Sequence, residues 1–184
     1  MSKRAVLPAE SLSADTDAFY RVLNDEPDSS VVLVASAYID ACLGSMLERF
    51  FIESSVSSKV LSPTSGALGN FSSRADVSYL LGLISKPIYQ DLQILAKVRN
   101  QFAHYHLTLD FSKPEVVEVC KGLTYAASLL RWDREDDHPM FSPEQIADTR
   151  TRFVMTAVFV SQRLLVDALG IRHREIKKPS RSTL

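Results

Sequence analysis

Net charge is what this chain has least of: 21 Lys and Arg stand against 22 Asp and Glu in 184 residues, for a formal charge of −1 and a pI near 6.4. So balanced a chain offers a polyanion no global basic field, and tight DNA binding by the protein alone is not expected. Cysteine is almost missing. Cys42 and Cys120 form no CxxC pair and join no Cys/His cluster, which excludes a structural zinc site of ordinary spacing. Both lie in apolar helical surroundings and read as buried free thiols, consistent with a reducing cytoplasm. Glycine-rich phosphate loops and the G-x-S-x-G nucleophile turn are absent, and the glycines at Leu68-Gly69-Asn70 and Leu81-Gly82-Leu83 are isolated. The opening MSKRAVLPAESLSAD carries no apolar core of leader length, and no charge-free apolar run approaches ~20 residues. The expectation is a cytoplasmic protein, neither secreted nor membrane-spanning, with no cofactor and no metal.

What is present is a 46% hydrophobic content without a low-complexity tract, enough for one domain with its own core. The periodicity is helical nearly throughout, apart from a possible extended piece at His106 to Phe111. The fold class is all-α, a single-domain irregular bundle of six or seven helices. Residues 1–10 read as a loose arm, 11–170 as the helical domain and 171–184 as a basic tail. A first helix is expected from Ser11 or Ser13 to Asn24, and Pro27 then breaks the chain. The second helix, to about Glu53, carries a wide apolar band of Val31, Val34, Ala35, Tyr38, Cys42, Met46 and Phe50 and should be the central one. Asp40 interrupts that band, either on a solvated edge or as acceptor for an arginine from elsewhere.

Ser54 to Asn70, rich in Ser with Pro63, Gly66 and Gly69, reads as an ordered loop with at most a short helical turn. A third helix capped by Ser72 or Ser73 carries Val77, Leu80, Leu81 and Ile84. Arg74 lies in its first turn, where a cation opposes the helix dipole, so Arg74 is expected to serve a specific partner. Ser142-Pro143-Glu144-Gln145 is a capping box opening a helix to Ala168, with Ile146, Phe153, Ala157, Val160, Leu164 and Ala168 inward. Asp133 to His138 is an acidic turn; Asp136, Asp137 and His138 could be drawn as a metal site, but composition favours a solvated turn.

The stretch Ile88 to Phe111 organises the rest. Ile88, Leu92, Leu95 and Phe102 recur at helical spacing, and Arg99 falls on the same stripe, so it should have a buried acceptor such as Asp40. Arg99-Asn100 is followed four residues later by His104. On an unbroken helix Arg99 and His104 stand roughly 140° apart, so the two converge only if the helix ends between them or two chains share a cleft.

These residues carry two resemblances. R-N-x-x-x-H resembles the signature of HEPN helical domains, which implies a metal-independent ribonuclease site of Arg99, Asn100 and His104. The segments SAYIDACLGSML (Ser36 to Leu47), LGNFSSRADVSYLLGLI (Leu68 to Ile84) and ILAKVRNQFAH (Ile94 to His104) resemble, in order, the MtlR family of mannitol operon repressors. That second likeness spans most of residues 10 to 170. It implies a carbohydrate-operon repressor that works through a protein partner such as a transcription factor, since no helix pair looks built to read DNA. On this reading Asp40, Arg74, Arg99, Asn100 and His104 form a binding or structural polar network, and the protein is a homodimer. RNA is a partner only if the trio is catalytic.

Overall fold

The computed structural model describes residues 6–104, 109–124 and 142–171. Among them are nine helices and no strand: α1 (Ala9–Ala14), α2 (Thr16–Asp25), α3 (Asp28–Phe50), α4 (Ser55–Val60), α5 (Phe71–Leu80), α6 (Lys86–His104), α7 (Pro114–Cys120), α8 (Pro143–Ala147) and α9 (Thr149–Gly170). The all-α bundle is as expected, and the larger number has local causes. The first expected helix is split at Asp15 and the last at Asp148, whose Oδ2 accepts from the Thr151 amide and so caps a new helix. A Ser54/Ser57 capping box opens α4 inside the serine-rich loop. The Ser142/Gln145 box forms at the start of α8.

Pro27 holds an extended conformation and launches α3, which meets no further proline until it ends at Phe50. Val31, Val32, Ala35, Ile39, Cys42, Leu43, Met46 and Leu47 are all buried, so α3 is covered on adjoining faces. It packs most extensively against α9 and also meets α1, α2, α5 and α6. Val34, expected inward, is 37% exposed. By length and composition α3 and α9 could each cross a bilayer, against the expectation from charge spacing; in this fold they are the paired central helices. All six residues of the expected α8–α9 stripe are buried. Phe111 bridges the rings of Phe102 and Phe153, at 5.6 and 5.2 Å, joining α6 to α9. Burying each such ring contributes about 1.5–3 kcal/mol.

Polar clamps fix the helix ends. Asp28 pairs with Arg150 and accepts the Phe111 amide at 2.9 Å, so one carboxylate ties the starts of α3 and α9 to the chain beyond α6. Arg150 also donates to the Glu26 carbonyl at 2.8 Å. The segment read as a loose arm is packed where it is described: Val6 joins Leu47 and Leu61 in a small satellite core, and α1 begins at Ala9. The third helix starts at Phe71 with Asn70 as its cap, and stops earlier than expected. Gly82 takes φ +71°, and the amide bonds Gly82 to Tyr79 and Leu83 to Ser78 close the end. Leu80 and Leu81 are consequently exposed, at 80% and 40%. Residues 125–141, with the acidic turn and its Asp136, Asp137 and His138, lie outside the described residues, as do most of the basic tail and residues 105–108.

Candidate functional site

Sequence reasoning put a buried arginine on the longest apolar stripe of α6; the structure puts it on α5. Arg74 is only 3% exposed. Its Nη1 donates to Asp40 Oδ2 at 2.8 Å and to the Asp40 carbonyl at 3.2 Å. Nε reaches the Leu68 carbonyl at 2.9 Å and Nη2 the Leu61 carbonyl at 3.1 Å. One guanidinium therefore ties α3, the chain after α4 and α5 together, with its planar donor set matched to fixed acceptors. Gly44 makes room for it: a Cβ there would stand 3.2 Å from Nη1 and 2.7 Å from Val6 Cγ1.

Arg99 is exposed, which corrects the expectation of a buried partner. The buried face of α6 is Ile88, Asp91, Leu92, Leu95, Val98 and Phe102. Positions 98 and 99 both fit a helical stripe between Leu95 and Phe102; the apolar Val98 takes the core and Arg99 turns to the rim. Its guanidinium donates to Asn100 Oδ1 at 3.1 Å. A buried polar residue does occupy this stripe, and it is Asp91. Asp91 accepts from the Thr124 amide at 2.8 Å and the Thr124 hydroxyl at 3.2 Å, pinning the chain after α7 to α6. Sequence reasoning missed it, although its spacing of three from Ile88 and four from Leu95 was the available signal.

Arg99 and Asn100 line a cleft of about 380 Å³ where α3, the start of α5 and α6 meet. Ser36, Ala37 and Asp40 form its α3 wall, and Asn70 and Ser72 its α5 wall. Asp40 keeps 30% of its side chain open, and its Oδ1 has no hydrogen-bond partner. Burial pushes its carboxyl above the ordinary aspartate value, against the opposing pull of Arg74 and, more weakly, Arg99. A shallower groove of about 600 Å³ adjoins the cleft across Ser72, Ala96 and Asn100 and adds Gln90, Gln93 and Lys97.

Of the five residues singled out in the sequence, Asp40, Arg74, Arg99 and Asn100 thus gather around one cleft, with Arg74 behind its wall. His104 does not join them. The helix runs unbroken through His104, leaving that side chain exposed and about 140° around the axis from Arg99. One chain therefore does not bring Arg99, Asn100 and His104 to a point. Burial raises the Cys42 thiol to about 12 and Cys120 to about 11, which keeps both protonated and unreactive. Among the described residues no group of three His, Cys, Asp or Glu is placed to hold a metal.

Fold and site together define an all-α module with a charged cleft of ligand size. The chain belongs to the MtlR family: the family model, described as mannitol repressor, matches residues 16–167. That membership places it among transcriptional regulators. A solved structure with a similar fold is that of a possible transcriptional regulator, YggD, from Shigella flexneri 2a, at TM-score 0.55 and 16% identity over 86% of this chain and 98% of that one. No curated protein matches.

Proposed function

We propose that the protein represses a carbohydrate operon in the cytoplasm, with mannitol or a related hexitol as the sugar, by contacting a protein such as a transcription factor. The observation that carries this is the family match, which runs from the start of α2 nearly to the end of α9. The reading that it has no DNA-reading helix of its own is supported by how its cations are used. Arg49, Arg74, Lys113, Lys121, Arg150 and Arg163 are each paired with a carboxylate of the chain itself. A phosphate backbone is gripped by several unpaired cations on one surface. The homodimer belongs to the same proposal, because Val166 and Leu169 of α9 stay 63% and 45% exposed on an otherwise core-forming helix.

The test is genetic. Deleting the gene should raise the transcripts of a hexitol-uptake operon in cells grown without the hexitol, and restoring it should lower them again. Unchanged transcripts across all hexitol operons of the host would contradict the proposal.

A further inference from the structure

The cleft between α3, α5 and α6 has the chemistry of a ligand site, and its charges say which ligand. Arg74 neutralises Asp40, so the Arg99 charge at the rim has no carboxylate of the described residues paired with it. An anionic group beside Arg99 and the Asn100 amide would complete that end. At the other end Asp40 Oδ1 is unpaired but itself buried, while 30% of the Asp40 side chain stays open. The χ2 torsion of aspartate has a broad well, so the carboxylate can turn Oδ1 toward a donor in the cleft without leaving Arg74. A cationic donor is disfavoured there, because Arg99 acts electrostatically on the same carboxylate. A neutral hydroxyl is not.

Ser36 adds no competing donor, since its hydroxyl is committed to the Val32 carbonyl at 2.8 Å. Asn70 Oδ1 is likewise committed, to the amide and hydroxyl of Ser73. About 380 Å³ lies at the small end of the ~300–1,000 Å³ range of ligand pockets. We propose that this cleft binds a small polyhydroxylated anion, a sugar or hexitol phosphate, with its hydroxyls toward Asp40 and its phosphate on Arg99. The choice of a hexitol rests on the repressor reading, but binding is measured on the purified chain alone, so either proposal can fail without the other.

The experiment is calorimetric titration of the full-length protein with mannitol 1-phosphate, mannitol and inorganic phosphate. Saturable binding of mannitol 1-phosphate is expected, with each of the other two at least about tenfold weaker, because each lacks one of the two anchoring ends. Arg99→Ala, at an exposed position, should weaken binding by about tenfold or more. Ala37→Leu, also exposed, fills the cleft from the α3 side and should abolish binding with the melting curve unchanged. The proposal is overturned by no saturable heat with mannitol 1-phosphate, or by binding that survives both substitutions. Inorganic phosphate binding as tightly as the hexitol phosphate also overturns it, since that would leave a plain anion site.

Discussion

Arg74 and Arg99 carry the same charge and are expected to respond to removal in opposite ways. Arg74→Ala leaves Asp40 facing a buried gap and strips a donor from the Leu61 and Leu68 carbonyls. The loss should be about 3–5 kcal/mol. In a chain of this length that is a drop of roughly 6 to 20 °C in Tm, read by thermal melt. Arg99→Ala should stay within about 0.5 kcal/mol of the parent, because its side chain is exposed and, among the described residues, hydrogen-bonds only to its neighbour Asn100. A second residue-scale prediction follows from Asp40. Its folded pKa is raised, so between the ordinary aspartate value and the raised one the native state binds more protons than the unfolded chain. Stability therefore falls as pH rises through that window and levels off above it. Denaturant melts of the parent measured against Asp40→Asn should show this slope, and a carboxyl NMR titration should place the Asp40 midpoint above the ordinary range. The opposite slope would mean that Arg74 outweighs burial. Arg74 was legible as a residue with a purpose, since a cation at a helix start needs one. Arg99 was misplaced because two adjacent positions satisfied the same spacing, and only the neighbouring helices decide which one is buried.

The long helices were legible because an apolar stripe repeated over several turns integrates into a strong signal, as the fully buried set from Ile146 to Ala168 shows. Breaks at a single residue were not. Asp15 and Asp148 each interrupt a stripe that continues in phase beyond them, so the pattern reads as one helix where the backbone makes two. The early end of α5 was written in Gly82, whose positive φ suits a residue without Cβ, but the apolar Leu83 and Ile84 beyond it masked the signal. Packing between elements gives a further prediction at Gly44 of α3. A Cβ there meets Arg74, which three acceptor groups and an ion pair hold in place, while alanine is the better helix former by about 1 kcal/mol. Crowding of ~1–3 kcal/mol outweighs that gain. Gly44→Ala should lose about 1 kcal/mol by denaturant melt, and should lose much less in the Arg74→Ala background, where the neighbour has been removed. Equal losses in both backgrounds would show that Val6 alone, 2.7 Å away, sets the cost.

For the whole molecule the sequence disclosed the all-α class, because helical periodicity ran almost unbroken and no strand pattern competed with it. It did not disclose the cleft, whose walls come from α3, α5 and α6 and meet only when the bundle closes. A dimer is predicted from the exposed apolar residues of α9, and light scattering across the micromolar range should return twice the 20.5 kDa chain mass. A monomer mass throughout that range would contradict it. The central claim is repression without direct reading of DNA, and promoter binding in solution tests it most directly. With labelled DNA from the regulated operon at physiological salt, the protein alone should give no sequence-specific rise in anisotropy, because six of its cations are paired with its own carboxylates and its net charge is −1. Tight, sequence-specific and salt-resistant binding by the protein alone would contradict the account.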